Sequence, residues 1–254
     1  MAAHPAALLS TAACSTDQVC VNLFGGPSVT VSGRHVDIPE GSKRLLAFVS
    51  LSHGPTERRR VAGTLWPLGD DVRAAGNLRS ALWRLKGCGI DVVESDKVSL
   101  WLRPETVVDV ELLGDWATRL ISGHPQPGDL DLHRWHADYL ELFPGWYDDW
   151  ALFEREHQRQ LLLHALEALA RQLSARNRGA EAVIVAMTAV AAEPLRETAQ
   201  RVLIETHLGE GNLCEARRAF HVYRELALRE LDVEPGPRLS ALIATAARKE
   251  PSRV

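Results

Sequence analysis

Between Val72 and Ile90 the sequence contains four Arg and Lys residues and no acid. Arg73, Asn77, Ser80 and Arg84 recur at i, i+4, i+7 and i+11, which places them on one face of a helix. Arg and Asn can pair bidentately with guanine and adenine edges, each pair giving ~1–3 kcal/mol of discrimination, and Ser can bond either. These four are the candidate base-reading residues. A solvated helix face ordinarily carries compensating acids at i+4, and this one carries none. Arg79 and Lys86 flank the face, Arg58, Arg59 and Arg60 open the preceding segment, and Lys97 follows it; these cations are candidate phosphate contacts. Trp83 falls near the same face, where it could touch a thymine methyl or pack against a neighbouring hairpin.

Other chemistries lack their residues. The sequence has no G-x-S-x-G, no P-loop, no H-E-x-x-H and no G-x-G-x-x-G. Gly25-Gly26 lies more than a dozen residues before the next expected helix, too far to cradle a phosphate. Cys14, Cys20, Cys88 and Cys214 are scattered without a C-x-x-C pair and read as free thiols. His133 and His136 have no third ligand nearby. Asp148-Asp149 precedes a helix and suits the positive end of its dipole better than acid–base work. The expectation is a protein without catalytic residues, metal or cofactor, and not an enzyme. No apolar run reaches the ~18–20 residues of a membrane span, and residues 1–17, without a basic start and broken by Pro5, Ser10 and Thr11, read as a disordered leader on a cytoplasmic protein.

The net charge of −4 is unevenly placed. Residues 1–112 hold 12 Lys and Arg against 12 Asp and Glu, leaving 17 (29 − 12) against 21 (33 − 12) for the remainder. Phosphates sense charge over a Debye length of ~10 Å, so the neutral N-terminal part is compatible with DNA.

The elements that position the basic face follow from periodicity. Val19, Val21 and Leu23 alternate, as do Val29 and Val31, with Gly25-Gly26-Pro27 and Ser32-Gly33 as turns. Ser42 is the expected cap of a helix closed by Gly54-Pro55, and Thr56 that of a second, ended by Pro67. A third helix, capped by Asp70 or Asp71, spans about 72 to 86 and buries Ala75, Leu78, Leu82 and Leu85. Asp91 to Leu102 alternates like a hairpin turning at Ser95-Asp96-Lys97. Strands, three helices and a hairpin make a winged helix, expected over 18–112, in which the third helix enters a major groove and the hairpin touches backbone. Beyond it, 113–249 reads as helical, with loops at Pro125–Gly128 and Phe143–Gly145, a long helix from Asp149 to about Ser174, and a short tail at 250–254. Glu181-Ala182 recurs as Glu215-Ala216 and Leu169 as Leu203, both at an interval of 34, which suggests tetratricopeptide-like helix pairs. The expected fold class is mainly α with a small β component: a winged helix followed by an all-α, tetratricopeptide-like domain.

The run from Ala75 to Lys86, preceded by LWPLGDD, resembles the recognition helix of the SARP family of antibiotic-pathway regulators. LFPGWYDDWALFEREHQRQLLLHALE, EPLRETAQ and LDVEPGPRL resemble segments of that family's bacterial transcriptional activator domain. The resemblance implies an OmpR-like winged helix without a receiver, joined to that activator domain. It further implies an activator of secondary metabolism that binds direct repeats of double-stranded DNA near promoters. The protomers would lie side by side or as a homodimer, and they would engage the RNA polymerase holoenzyme. It carries base contacts to Arg73, Asn77, Ser80 and Arg84, and phosphate contacts to Arg58, Arg79 and Lys97. Asp70-Asp71 and Asp96 depart from an all-basic surface. A helical-repeat scaffold and a ligand-sensing repressor are the competing readings.

Overall fold

The structure, a computed structural model, describes residues 18–131 and 141–248. The expected leader, His133, His136 and the 250–254 tail lie outside them. The chain forms two compact units, one from residues up to 113 together with 138–158, the other from 114–137 together with 159 onward. The divide therefore does not fall simply at 112/113.

In the first unit, β1 (Val19–Asn22), β2 (Ser28–Val31) and β3 (Arg34–Val36) form an antiparallel meander, with Val21 opposite Val29 and Val29 opposite Val36. A fourth strand, β7 (Val107–Val108), adds parallel to β1, giving the order β3-β2-β1-β7. With neighbours on both edges β1 is central, and Cys20 to Phe24 are all buried rather than alternating. Cys20 is disulfide-bonded, against the expectation of free thiols; Cys88 and Cys214 are free and exposed.

Three helices follow: α1 (Glu40–Ser50), α2 (Arg58–Leu65) and α3 (Asp71–Gly87). Helix α1 buries Leu45, Leu46, Ala47 and Val49 completely. Ser42 does not cap it. It lies inside the helix, buried, and its hydroxyl donates to the Ala81 carbonyl of α3 at 3.0 Å. Nor does Thr56 cap α2: Thr56–Glu57 is a short strand, β4, paired with β6. Helix α2 stops at Leu65 because Pro67 forces Trp66 out of the helical region (φ −132°, ψ 65°). β5 (Val93–Ser95) and β6 (Ser99–Leu102) make the expected hairpin, and with β4 the sheet order is β4-β6-β5. This is a winged helix.

Residues from the C-terminal half of the sequence complete this unit. Leu142 bridges to Phe24, and Phe143 is fully buried. Trp150 stands edge-on to Phe48 of α1 (5.4 Å between centroids) and to Phe143 (5.7 Å), while Phe143 stacks on Trp146 (4.9 Å). Arg44 of α1 lies over the Trp146 ring at 5.5 Å and pairs with Asp148 at 3.0 Å. The Arg155 guanidinium gathers the carbonyls of Leu142, Phe143 and Trp146, tying the loop to the first turns of the long helix α5 (Asp149–Ser174).

The second unit holds most of α4 (Asp109–Ile121), a 3-10 turn at Pro127–Leu130, α5 from residue 159, α6 (Gly179–Ala192), α7 (Glu197–Gly209), α8 (Leu213–Leu231) and α9 (Pro237–Arg248). Ala182 and Ala216, 34 residues apart, are both wholly buried, as are Leu169 and Leu203 nearly so. Small residues at these points let neighbouring helices approach closely. The buried Glu167 carboxylate accepts from Arg196 Nε and Thr198 Oγ1, each at 2.6 Å, which fixes α5 against the start of α7. Trp116 donates to the Asp129 carbonyl at 3.0 Å, and Arg119 grips the Asp129 carboxylate with two bonds.

Candidate nucleic-acid interface

Helix α3 is capped by Asp70, whose carboxylate accepts from Arg73 N at 2.7 Å. Its buried line is Ala74, Leu78, Ala81 and Leu85. Ala75 and Leu82, expected in the core stripe, are only half-buried. The helix is thus rotated toward its alanines, because small residues allow α3 to lie close to the rest of the unit. At ~100° per residue the point opposite this line is marked by Val72, Gly76 and Trp83. Val72 is 77% and Trp83 75% exposed, so Trp83 does not pack against the wing.

Two cationic flanks border this crest. Arg73, Asn77, Ser80 and Arg84 lie on the side toward α1. Arg73 folds over Gly69, and a side chain at Gly41 of α1 would come within 3.0 Å of the Arg84 guanidinium. Asn77 is half-buried, and the Ser80 hydroxyl donates to the Gly76 carbonyl at 3.0 Å, keeping its lone pairs outward. The four expected base-reading residues do share one side of the helix, beside the crest rather than on it. Arg79 and Lys86 lie on the other side.

On the Arg79 side, α2, α3 and the wing enclose an open cleft of about 420 Å³. Arg58, Arg59, Arg79 and Lys97 line it, together with Glu57 and Asp71. Arg58 ties to the wing: its backbone N donates to the Val98 carbonyl at 2.8 Å and its guanidinium reaches the Asp96 carbonyl at 3.4 Å. Asp96 itself closes the wing turn, accepting from Val98 N (2.7 Å) and Ser99 N (2.6 Å). Those bonds, Ser99 foremost, hold its carboxyl below the usual carboxylate range.

Two expected phosphate contacts stand apart from the cleft. Arg60 points away from it, into a second cleft of about 630 Å³ lined also by Asp149, Trp150 and Glu154. Three consecutive residues of a helix cannot share a face, so the Arg triplet splits. Lys86 lies at the C-terminal end of α3, 3.9 Å from Asp91. Arg59 is within the cleft but bound to Asp71 at 2.7 Å. Sequence reasoning missed Gly76 at the crest. Its signal was available: a glycine in the middle of a run of strong helix formers.

Among the described residues, no group of three or more His, Cys, Asp or Glu comes together to hold a metal, and no helix is long and apolar enough to cross a membrane.

Residues 130–245 match the family described as the bacterial transcriptional activator domain. Among solved structures, the fold matches that of "Mycobacterium tuberculosis EmbR in complex with low affinity phosphopeptide", with a TM-score of 0.71 and 19% sequence identity. The match covers 92% of this chain and 66% of that one, so the chain spans just under two thirds of its length. No curated protein matches the sequence. The chain thus joins a winged-helix fold to a segment, residues 130–245, that is similar to the bacterial transcriptional activator domain.

Proposed function

We propose that the chain binds promoter DNA sequence-specifically by inserting α3 into the major groove. The observation that carries this reading is the exposed, acid-free side of α3 between Val72 and Lys86, bordered by a cleft holding Arg58, Arg59, Arg79 and Lys97. The crest of Val72, Gly76 and Trp83 approaches the base edges. Arg73, Asn77, Ser80 and Arg84 read bases from one flank, with Asn77 the most recessed of them. Arg58, Arg79 and Lys97 hold one phosphate backbone from the other, and Arg59 joins them when it leaves Asp71. Such contacts give affinity through counterion release, and the base contacts give specificity.

On this reading the helical domain, 113–249 in sequence but lending 141–158 to the winged-helix unit, presents tetratricopeptide-like surfaces to the RNA polymerase holoenzyme. Protomers bind direct repeats side by side in the cytoplasm, at the nucleoid, and the regulated genes are those of a secondary-metabolic pathway. Footprinting on the promoters flanking its own gene tests the reading. Protection of a direct repeat, abolished when Arg73, Arg79 and Arg84 are all changed to alanine, is the expected result. A chain that binds no DNA at low salt would instead be a helical scaffold, and one that lowers transcription in vitro a repressor.

A further inference from the structure

A single exposed apolar side chain is ordinary on a protein surface, but Trp83 stands on a line between two rows of cations. It is 75% exposed on the crest of α3, in line with Val72 and Gly76, and no ring stack or hydrogen bond engages it among the described residues. Arg73 and Arg84 border the crest on one side, Arg79 and Lys86 on the other, and all four reach solvent. The helix has one acid, Asp71, which stands in its first turn and is held by Arg59.

An apolar ridge between cationic slopes has the cross-section of a filled major groove, where base edges make the floor and a phosphate backbone rises on either side. Resting on the reading that α3 enters that groove, we infer that Trp83 selects sites with a thymine beneath it, by packing on the C5-methyl group. The other groups that distinguish base pairs on that floor are hydrogen-bond donors and acceptors. An indole face laid over one of them strips its water and returns no bond, which costs affinity. The methyl is apolar, and covering it together with the exposed indole removes apolar surface of both from water. The indole N–H, a donor only, also suits the thymine O4 acceptor beside that methyl. A methylated cytosine would offer the same methyl, but beside it stands an amino donor that cannot take the indole proton. Thymine is therefore the base that meets both parts of the side chain.

The test separates this contact from DNA binding itself. A promoter fragment that the full-length chain protects is prepared with deoxyuridine in place of a few thymidines at random, which removes only the methyl group. Bound and free molecules are parted on a gel, and cleavage at uracil shows where a missing methyl hinders binding. One thymine in each protected repeat is expected to interfere, and a fragment with uracil there alone should bind about fourfold more weakly. Trp83→Ala should weaken binding to the thymine fragment by at least that factor and no longer distinguish thymine from uracil at that position. Its affinity for random DNA should stay within about twofold of wild type, since no phosphate contact is lost. Its unfolding temperature should not move, because the side chain is exposed. A wild type that binds the fragment tightly without uracil interference overturns the inference and leaves the groove reading standing. So does a Trp83→Ala chain that keeps the wild-type interference. A chain that shifts no DNA overturns both, and the crest then meets a partner of another kind.

Discussion

Replacing Gly76 by alanine separates what the fold wants from what the ligand wants. Glycine in a helix interior costs about 1 kcal/mol relative to alanine, because more backbone freedom is lost on folding. Within the protein nothing requires that cost: a Cβ at position 76 would meet only the Arg79 guanidinium, at 3.8 Å, the far end of a flexible side chain. Gly76→Ala should therefore stabilise the winged-helix unit by about 1 kcal/mol, a rise of roughly 3–4 °C in unfolding temperature for a unit of this size. If Gly76 is the point of closest approach to base edges, the added methyl pushes the helix out or forces a neighbour aside, at ~1–3 kcal/mol. That is a loss of about five- to 150-fold in affinity for the specific site. Calorimetry and anisotropy titrations on the same preparation give both numbers. Higher stability with unchanged affinity would show that the crest does not face DNA. Lower stability would refute the reasoning at its base, since the glycine would then be structural.

Arg84→Ala should lose more affinity for the specific site than for random DNA in parallel titrations, and equal losses would remove its base-reading role. Asp71→Asn removes a carboxylate from the cleft and frees Arg59; the exposed pair is worth at most ~1 kcal/mol, so stability should barely move while the slope of log K against log salt steepens by about one. An unchanged slope would leave Arg59 without a phosphate. Asp109 is fully buried, and burial pushes its carboxyl up to about 7 although the backbone N–H groups of Phe24, Leu23 and Val110 bond it. A carboxyl raised in the folded state favours folding most while protonated, so stability should fall as pH rises from about 4 to 7 and then level, on the order of 4 kcal/mol in all; urea melts across that range should show the fall, and Asp109→Asn should flatten it. Trp150→Ala should cost about 3 kcal/mol and speed amide exchange in α1, whereas an undisturbed α1 would detach residues 141–158 from the winged helix.

Long-period patterns were legible in the sequence. The long helix begins at Asp149 and ends at Ser174 as its periodicity and leading acids require, and the wing turns where Asp96 and Lys97 stand. Local polar residues misled. Ser42 and Thr56 have the chemistry of helix caps, but a hydroxyl goes to whichever backbone group tertiary packing brings near, and for Ser42 that is a carbonyl 39 residues away. The buried line of α3 was displaced by a position because Ala74 and Ala81 contribute close approach, a term that hydrophobicity counts as almost nothing. The cations were visible as a group, yet consecutive arginines must diverge, which sent Arg60 to another cleft. No local signal joins Phe24 to Leu142 or Phe48 to Trp150, since those contacts span about a hundred residues of sequence.

That long-range join sets the opening of the matched segment, residues 138–158, in the winged-helix unit. Leu142, Trp146, Asp148 and Trp150 fall within residues 130–245, matched to the activator domain, yet Leu142 bridges to Phe24, Trp150 meets Phe48, and Arg44 lies over Trp146 and pairs with Asp148. The rings reach α1, and α1 in turn holds α3 through the Ser42–Ala81 bond. A force or ligand that displaced 141–158 would thus act first on α1 and then on the helix proposed to read DNA. The coupling needs no separate relay, because one aromatic cluster packs residues 142–150 against α1 and one serine of α1 bonds α3.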